Sequence, residues 1–493
     1  MKLTLPRSTH SVTPLLVAAS ALTVACADID DPIPEPSITW AECETSSLVE
    51  CGTLEVPIDH TDPYGPTFTL PVVRKEAANP EERIGSILFN PGGPGGSGAN
   101  LVRAAWIIMP PEVRARFDLI GFDPRGQAGS TPPIHCLDDI STFAALDTTP
   151  DNSAELTEIQ TQSQTLADAC AEQSGDILPF IGTNAIVQDM DLLRRALGDE
   201  KLTYVGFSYG TFLGAMYAEK YPTHVRALVL DGVVDPSQTV EELIVGQALG
   251  FETALNSFFQ ACAADAACVV HNNGSPESVY DAVQAAVEAS PLPTAFEGRT
   301  VGPGEFAYGV GAALYQPGAW GELAAALSTA SFGDGTLLLA LADGYLGRND
   351  DGTYDNGMGV YYAVTSVDAP SERSLSTFQN LTAQMAEQAP RIGAYLPFTS
   401  YPSAVWPVKP WRQAQPIQDN GIPPLLLIGN TRDPATPYAS AVEVANQLPN
   451  SVLLTLDGDG HTAFLKGNNC IDEAVVSYLV NLTLPDKNTI CTP

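Results

Sequence analysis

The sequence predicts an α/β fold, a mostly parallel central sheet with helices on both faces and a helical layer inserted into it. Three observations carry this. Over residues 51–235 short β-rich runs alternate with amphipathic helices, the pattern that builds parallel sheets. Over 236–410 that rhythm stops, and the chain becomes helical and Ala-rich, with Gly and Pro punctuation and the aromatics Phe306, Tyr308, Tyr315 and Trp320. Two β-rich runs and a terminal helix over 411–493 then complete the sheet. The 493 residues, 44% hydrophobic and 16% charged, are too apolar for disorder and long enough for one catalytic body with an insertion.

The chain opens on a targeting segment. Lys2 and Arg7 give a weakly basic start, residues 12–25 are apolar and small, and Asp28, Asp30 and Asp31 follow at once, so 1–27 reads as a secretory signal peptide. Two processing readings compete. Ala25, Cys26 and Ala27 fit a small-x-small cleavage site, whereas Val24, Ala25 and Cys26 resemble the end of a bacterial lipobox, with Thr23 where Leu or Val is usual. The second reading makes Cys26 a lipid anchor. No later stretch approaches about 18 uninterrupted apolar residues, so membrane insertion is not expected. The expected location is secreted or extracytoplasmic, with the acidic segment 28–50 as linker and extension.

In the first core part, 51–235, strands are expected at 54–58, 68–73, 84–90, 117–122, 202–206 and 227–230. The helix expected at 184–197 places Ile186, Met190, Leu193 and Leu197 on one face. The cap is expected at 236–410. In the second core part, 411–493, strands are expected at 424–428 and 451–456 and a helix at 472–482.

Cysteine usage agrees with export. Of nine cysteines, setting Cys26 aside leaves eight, an even number suited to an oxidising compartment. Sequence proximity suggests Cys43 with Cys51, Cys136 with Cys170, Cys262 with Cys268 and Cys470 with Cys491, one choice among on the order of a hundred connectivities. There is no CxxC pair and no HExxH, and six scattered histidines suggest no metal site. No cofactor is implied. With 58 acidic against 23 basic side chains, the formal net charge of −35 disfavours nucleic acid and anionic membrane as partners. The same field should attract cationic peptide ends and disfavour acidic peptides.

The sharpest chemical signal is Gly206, Phe207, Ser208, Tyr209, Gly210, between an apolar strand and a helix. This is the pattern of a nucleophile elbow, a turn so tight that only Gly leaves room on either side of the serine. A serine hydroxyl is a weak nucleophile and needs a base, which needs an orienting acid. His461 follows a late strand in a glycine-bearing loop, unlike His60, His135, His224 and His271. Asp433 follows the preceding strand. Asp457 and Asp459 are rival acids, although they sit on the histidine's own loop and suit turns. The order Ser208, Asp433, His461 is that of the α/β-hydrolase arrangement. Oxyanion donors are expected at the Tyr209 N–H and in the loop 90–98, around Gly93.

These segments carry a family resemblance. The runs FNPGGPGGSG, DLIGFDPRG, YVGFSYGTFLGAMYAEKYP, VLDGVVDP, LLLIGNTRDPATP and DGHT resemble the secreted tripeptidyl aminopeptidases and their prolyl-aminopeptidase-like relatives among the α/β hydrolases, over almost the whole mature chain. The resemblance implies a serine exopeptidase acting on peptides with a free N-terminus, with Ser208, Asp433 and His461 in the matching positions. Asp123 and Arg125 match the family's DPRG and read as structural bracing. Ser366 stands where relatives often carry Cys before the acid Asp368. Such an enzyme must hold the substrate's ammonium with an acid, and Glu305, Asp343 and Asp368 are the cap candidates. The same triad would serve a carboxylic ester hydrolase, and an inactive hydrolase fold used for binding is the third reading.

Overall fold

The computed structural model describes residues 35–493 apart from 45, 128 and 370–373. The expected signal segment, Cys26 and the first part of the expected linker lie outside the described residues. The strands are β1 (Ala41–Cys43), β2 (Ser46–Pro57), β3 (Thr67–Lys75), β4 (Gly85–Asn90), β5 (Phe117–Phe122), β6 (Leu202–Phe207), β7 (Val225–Asp231), β8 (Leu292–Pro293), β9 (Thr300–Val301), β10 (Leu426–Arg432), β11 (Val452–Asp459) and β12 (Ile490–Cys491). Apart from the β8–β9 pair they form one ten-stranded sheet in the order β1-β2-β3-β5-β4-β6-β7-β10-β11-β12. From β5 to β12 every pairing is parallel, while β1, β2 and β3 run antiparallel at one side.

β4 and β5 are buried along their whole length, as strands covered on both faces must be. Helices Thr183–Ala196, Tyr209–Lys220 and Tyr438–Gln447 bury Ile186, Met190, Leu213, Tyr217 and Val444 on one face. Helices Gly98–Ala105 and Asn469–Asn481 bury Val102, Val475 and Leu479 on the other. Between β7 and β10 the chain is mostly helical and packs a core of its own around Phe258, Tyr280, Phe306, Val310, Leu323 and Leu338.

The eight central strands expected from the sequence all form, most of them longer by a few residues. The outer strands β1 and β12 were invisible because two or three residues carry no period. Part of the expected linker is instead the antiparallel pair of β1 with the start of β2, tied by the Cys43–Cys51 disulfide. The other three disulfides are Cys136–Cys170, Cys262–Cys268 and Cys470–Cys491, the pairs that sequence proximity suggested. Among the described residues no helix is long and apolar enough to cross a membrane.

Arg125 ties the end of β2 to the helix Thr183–Ala196 that covers the sheet. Its fully buried guanidinium donates to both carboxylate oxygens of Asp189 at 2.7 and 2.6 Å, and to the carbonyls of Pro57, Ile58 and Phe180. Removing one partner of such a pair leaves a buried charge uncompensated. Arg125→Ala should therefore lower the unfolding free energy by about 3 to 5 kcal/mol in chemical denaturation. A loss below about 1 kcal/mol, the level of a surface pair, would contradict this bracing role.

Candidate active site

Because β4, β6, β7, β10 and β11 are parallel, their C-terminal ends share one edge of the sheet. Pairing of Asn90 with Gly206 sets the loop after β4 directly beside the turn after β6. In that turn Ser208 is held at φ 54°, ψ −124°, a conformation an L residue adopts only under constraint. A Cβ on Gly206 would meet the Gly210 carbonyl oxygen at 2.3 Å, and one on Gly210 would meet Asn90 oxygens at 2.8 Å. The two glycines that flank the serine are thus required by contact with neighbouring backbone. The Ser208 N–H donates to the Asp231 carbonyl at 2.9 Å.

The loop after β4 presses onto this turn. A Cβ on Gly92 would lie 2.5 Å from the Phe207 carbonyl oxygen and 2.9 Å from the Ser208 Cβ. Asn90 Oδ1 accepts from the Gly92 N–H, and Asp123 receives the Ser97 hydroxyl at 2.6 Å and the Ala99 N–H at 3.2 Å, fixing both ends of the loop. Tyr209 occupies the first position of its helix, where the N–H has no intrahelical acceptor. Among the described residues the Gly93 N–H has no acceptor either. Both residues line the cavity that Ser208 opens into, about 710 Å³ in volume.

His461 reaches the same cavity from the loop after β11. Its Nδ1 lies 2.9 and 3.0 Å from the two carboxylate oxygens of Asp433. Asp433 is buried and also accepts from the N–H groups of Ala435 and Thr436, each at 2.9 Å, and from the Thr436 hydroxyl at 3.0 Å. The rivals Asp457 and Asp459 turn outward to Arg432. A neutral imidazole with Nδ1–H directed at this carboxylate leaves Nε2 as the basic nitrogen.

Two supports of His461 were not found from sequence. Asp231, at the end of β7, is fully buried and accepts from the N–H groups of Ala463 and Phe464, two and three residues beyond the histidine. The second comes from the helical stretch: the His461 N–H donates to the Tyr315 carbonyl at 2.7 Å, the Gln316 side chain donates to the His461 carbonyl, and the Tyr315 ring packs edge-on against the imidazole at 5.4 Å. The motif VLDGVVDP contained Asp231, but its partner lies 232 residues away in sequence.

The three acids expected to hold a substrate ammonium are otherwise engaged. Glu305 caps its own helix by accepting the Gly302 N–H, and Asp343 pairs with both terminal nitrogens of Arg299; neither lines the cavity. Asp368 does line it, but its carboxylate accepts from the Thr183 N–H and hydroxyl, the Tyr209 hydroxyl and the Trp411 indole. Ser366 is buried. The remaining cavity acids are Asp235, buried and engaged by Ser237 and Gln447, and Asp355, which is exposed.

Burial raises the Asp231 carboxyl from 3.8 to about 6, against the lowering effect of the Phe464 and Ala463 N–H groups. The folded chain thus binds this proton more tightly than the unfolded chain, and ionisation costs the folded state. Wild type should lose stability relative to Asp231→Asn as pH rises from about 4 to about 6, measured as the difference between their denaturant midpoints. A difference that is constant over that range would contradict the assignment.

Residues 85–272 match the family model described as alpha/beta hydrolase fold, and residues 390–491 match the one described as TAP-like protein. Serine protease Hip1 of Mycobacterium tuberculosis is 36% identical over 475 residues, covering 92% of this chain and 91% of that protein. Carboxylesterase B of the same species is 37% identical over 484 residues, covering 94% and 91%. Tripeptidyl aminopeptidase of Streptomyces lividans is 32% identical over 476 residues, covering 92% and 87%. With such identity along nearly the whole chain, and with the elbow, the glycine loop and the Asp433–His461 pair at one sheet edge, the chain belongs to the TAP-like family of α/β hydrolases.

Proposed function

We propose that the chain is a serine exopeptidase that hydrolyses peptides near a free N-terminus through an acyl-enzyme on Ser208. The observation that carries the reading is the convergence of the strained elbow serine, the Asp433–His461 pair and the donors at Tyr209 and Gly93 on one cavity. His461 Nε2 takes the Ser208 proton as Oγ attacks the scissile carbonyl. The N–H groups of Tyr209 and Gly93 hold the oxyanion, the imidazolium returns the proton to the leaving amine, and water then releases the acyl group by the same route. Asp433 keeps the imidazole in the required tautomer.

Residues 236–410 act as a cap on the core formed by 51–235 and 411–493, restricting entry to peptide ends. Asp355 is the acceptor for the substrate ammonium, because it is exposed at the cavity and, among the described residues, only its Oδ1 has a donor, the Gly357 N–H. The relatives named serine protease and tripeptidyl aminopeptidase support peptide substrates. Four disulfides among the described residues suit an oxidising compartment, in line with export by the N-terminal signal and tethering at Cys26. The relative named Carboxylesterase B favours a second reading, ester hydrolysis with the same residues.

Peptides of one, two and three residues on a fluorogenic leaving group, each with free and acetylated N-terminus, separate the readings. Release only from free-amine peptides is expected, and Ser208→Ala should lower it by about 10⁶-fold. Inert peptides beside rapid cleavage of a simple acyl ester would replace the peptidase reading with the esterase one.

A further inference from the structure

Among the described residues that line the cavity, Arg412 is the sole Lys or Arg, and it has no carboxylate partner. This is notable in a chain with 58 acidic side chains. Its guanidinium lies 4.9 Å from the centroid of the Phe212 ring, one helical turn beyond Ser208, and one terminal nitrogen donates to the Pro236 carbonyl. The nearby acids are occupied: Asp368 by its four donors, Asp235 by Ser237 and Gln447, and Glu219 by the Gln418 N–H. Burial pulls the Arg412 pKa below its ordinary value, and these acids act on it only across space. A guanidinium partly drawn out of water with no carboxylate in direct contact gains from one that arrives with a ligand.

The helix Gly357–Asp368 gives this charge a direction. Met358, Tyr361, Tyr362 and Thr365 line the cavity along it. It begins beside Asp355, where the Gly357 carbonyl packs against Gly95 of the oxyanion loop, and ends at Asp368, which receives the indole of Trp411 next to Arg412. At 1.5 Å per residue that wall is about 17 Å long, the span of roughly four or five extended peptide residues. The loop that presses on Ser208 at Gly92 meets the start of this wall at Gly95, and Tyr209, next to the nucleophile, donates its hydroxyl to Asp368 at its end, so the serine's turn and its loop touch both ends of the wall.

We propose that Arg412 is a carboxylate subsite, which makes short peptides that carry a carboxylate about four or five residues from their free ammonium the favoured substrates. The inference rests on the exopeptidase reading and on Asp355 as the ammonium acceptor. The carboxylate can be the peptide's own C-terminus or an acidic side chain near it.

The test uses tetrapeptides and pentapeptides with a free C-terminus, the same peptides amidated, and amidated peptides with Glu in place of Gln at the last position. In wild type, at least one carboxylate form should exceed its amide counterpart in kcat/KM by about tenfold or more, the effect of a charge-assisted hydrogen bond. In Arg412→Met that ratio should fall to about one, with Arg412→Lys between the two, while melting temperatures confirm that each variant folds. Preference for the free C-terminus assigns the terminal carboxylate, and preference for the Glu peptide assigns the side chain. Equal ratios in wild type and Arg412→Met, or no preference in wild type, would overturn the proposal. Calorimetry of the same peptides on Ser208→Ala keeps the two readings apart. If wild type cleaves no peptide, the exopeptidase reading fails, and the carboxylate subsite stands or falls on whether acid forms bind more tightly than amides in an Arg412-dependent way.

Discussion

Parallel pairing of β4, β6, β7, β10 and β11 is the constraint on which the rest depends, because it delivers five loop starts to one edge of the sheet. The glycine loop, Ser208, Asp231, Asp433 and His461 come from five different strand ends spread over some 370 residues of sequence, and only this register brings them together. The strain at Ser208 is tolerable for the same reason. Neighbouring strands fix the backbone on both sides of it, and the glycines at 92, 206 and 210 remove the side chains that would otherwise collide. A turn with these dihedrals in an isolated segment would relax.

The histidine is held more firmly than a loop residue needs to be for stability alone. Asp433 fixes its ring, Asp231 fixes the backbone just beyond it, and the Tyr315–Gln316 segment takes both the N–H and the carbonyl of the histidine itself. Two of these supports are buried carboxylates that accept backbone N–H groups, a use of charge that places a loop rather than pairs with a cation. The third belongs to the helical stretch between β7 and β10, so the same segment that lines much of the cavity also holds His461 at its edge.

The central strands and the three polar side chains were legible because their signals are local: apolar runs between turn residues, a serine framed by two glycines, an acid and a histidine each just past a late strand. The choice of Asp433 over Asp457 and Asp459 followed from position, and the outward ion pairs with Arg432 supply its physical reason. Outer strands of two or three residues carry no such signal. The role of an acid is also not local. Glu305, Asp343 and Asp368 looked equivalent to any other carboxylate in a chain rich in them, and what distinguishes them is a helix start, an arginine and a set of four donors, mostly remote in sequence. Asp231, Gln316 and Arg412 were missed for the same reason, since each acquires its meaning from a partner brought in by the fold.

The central claim is that Ser208 becomes acylated by the N-terminal part of a peptide. Rapid quenching of the enzyme with a free-amine peptide amide, followed by digestion and mass spectrometry, tests it directly. The account predicts a mass increment equal to the N-terminal fragment on the peptide that contains Ser208, absent when the substrate amine is acetylated. Turnover without any adduct on that peptide, or an equal adduct from the acetylated substrate, would contradict it.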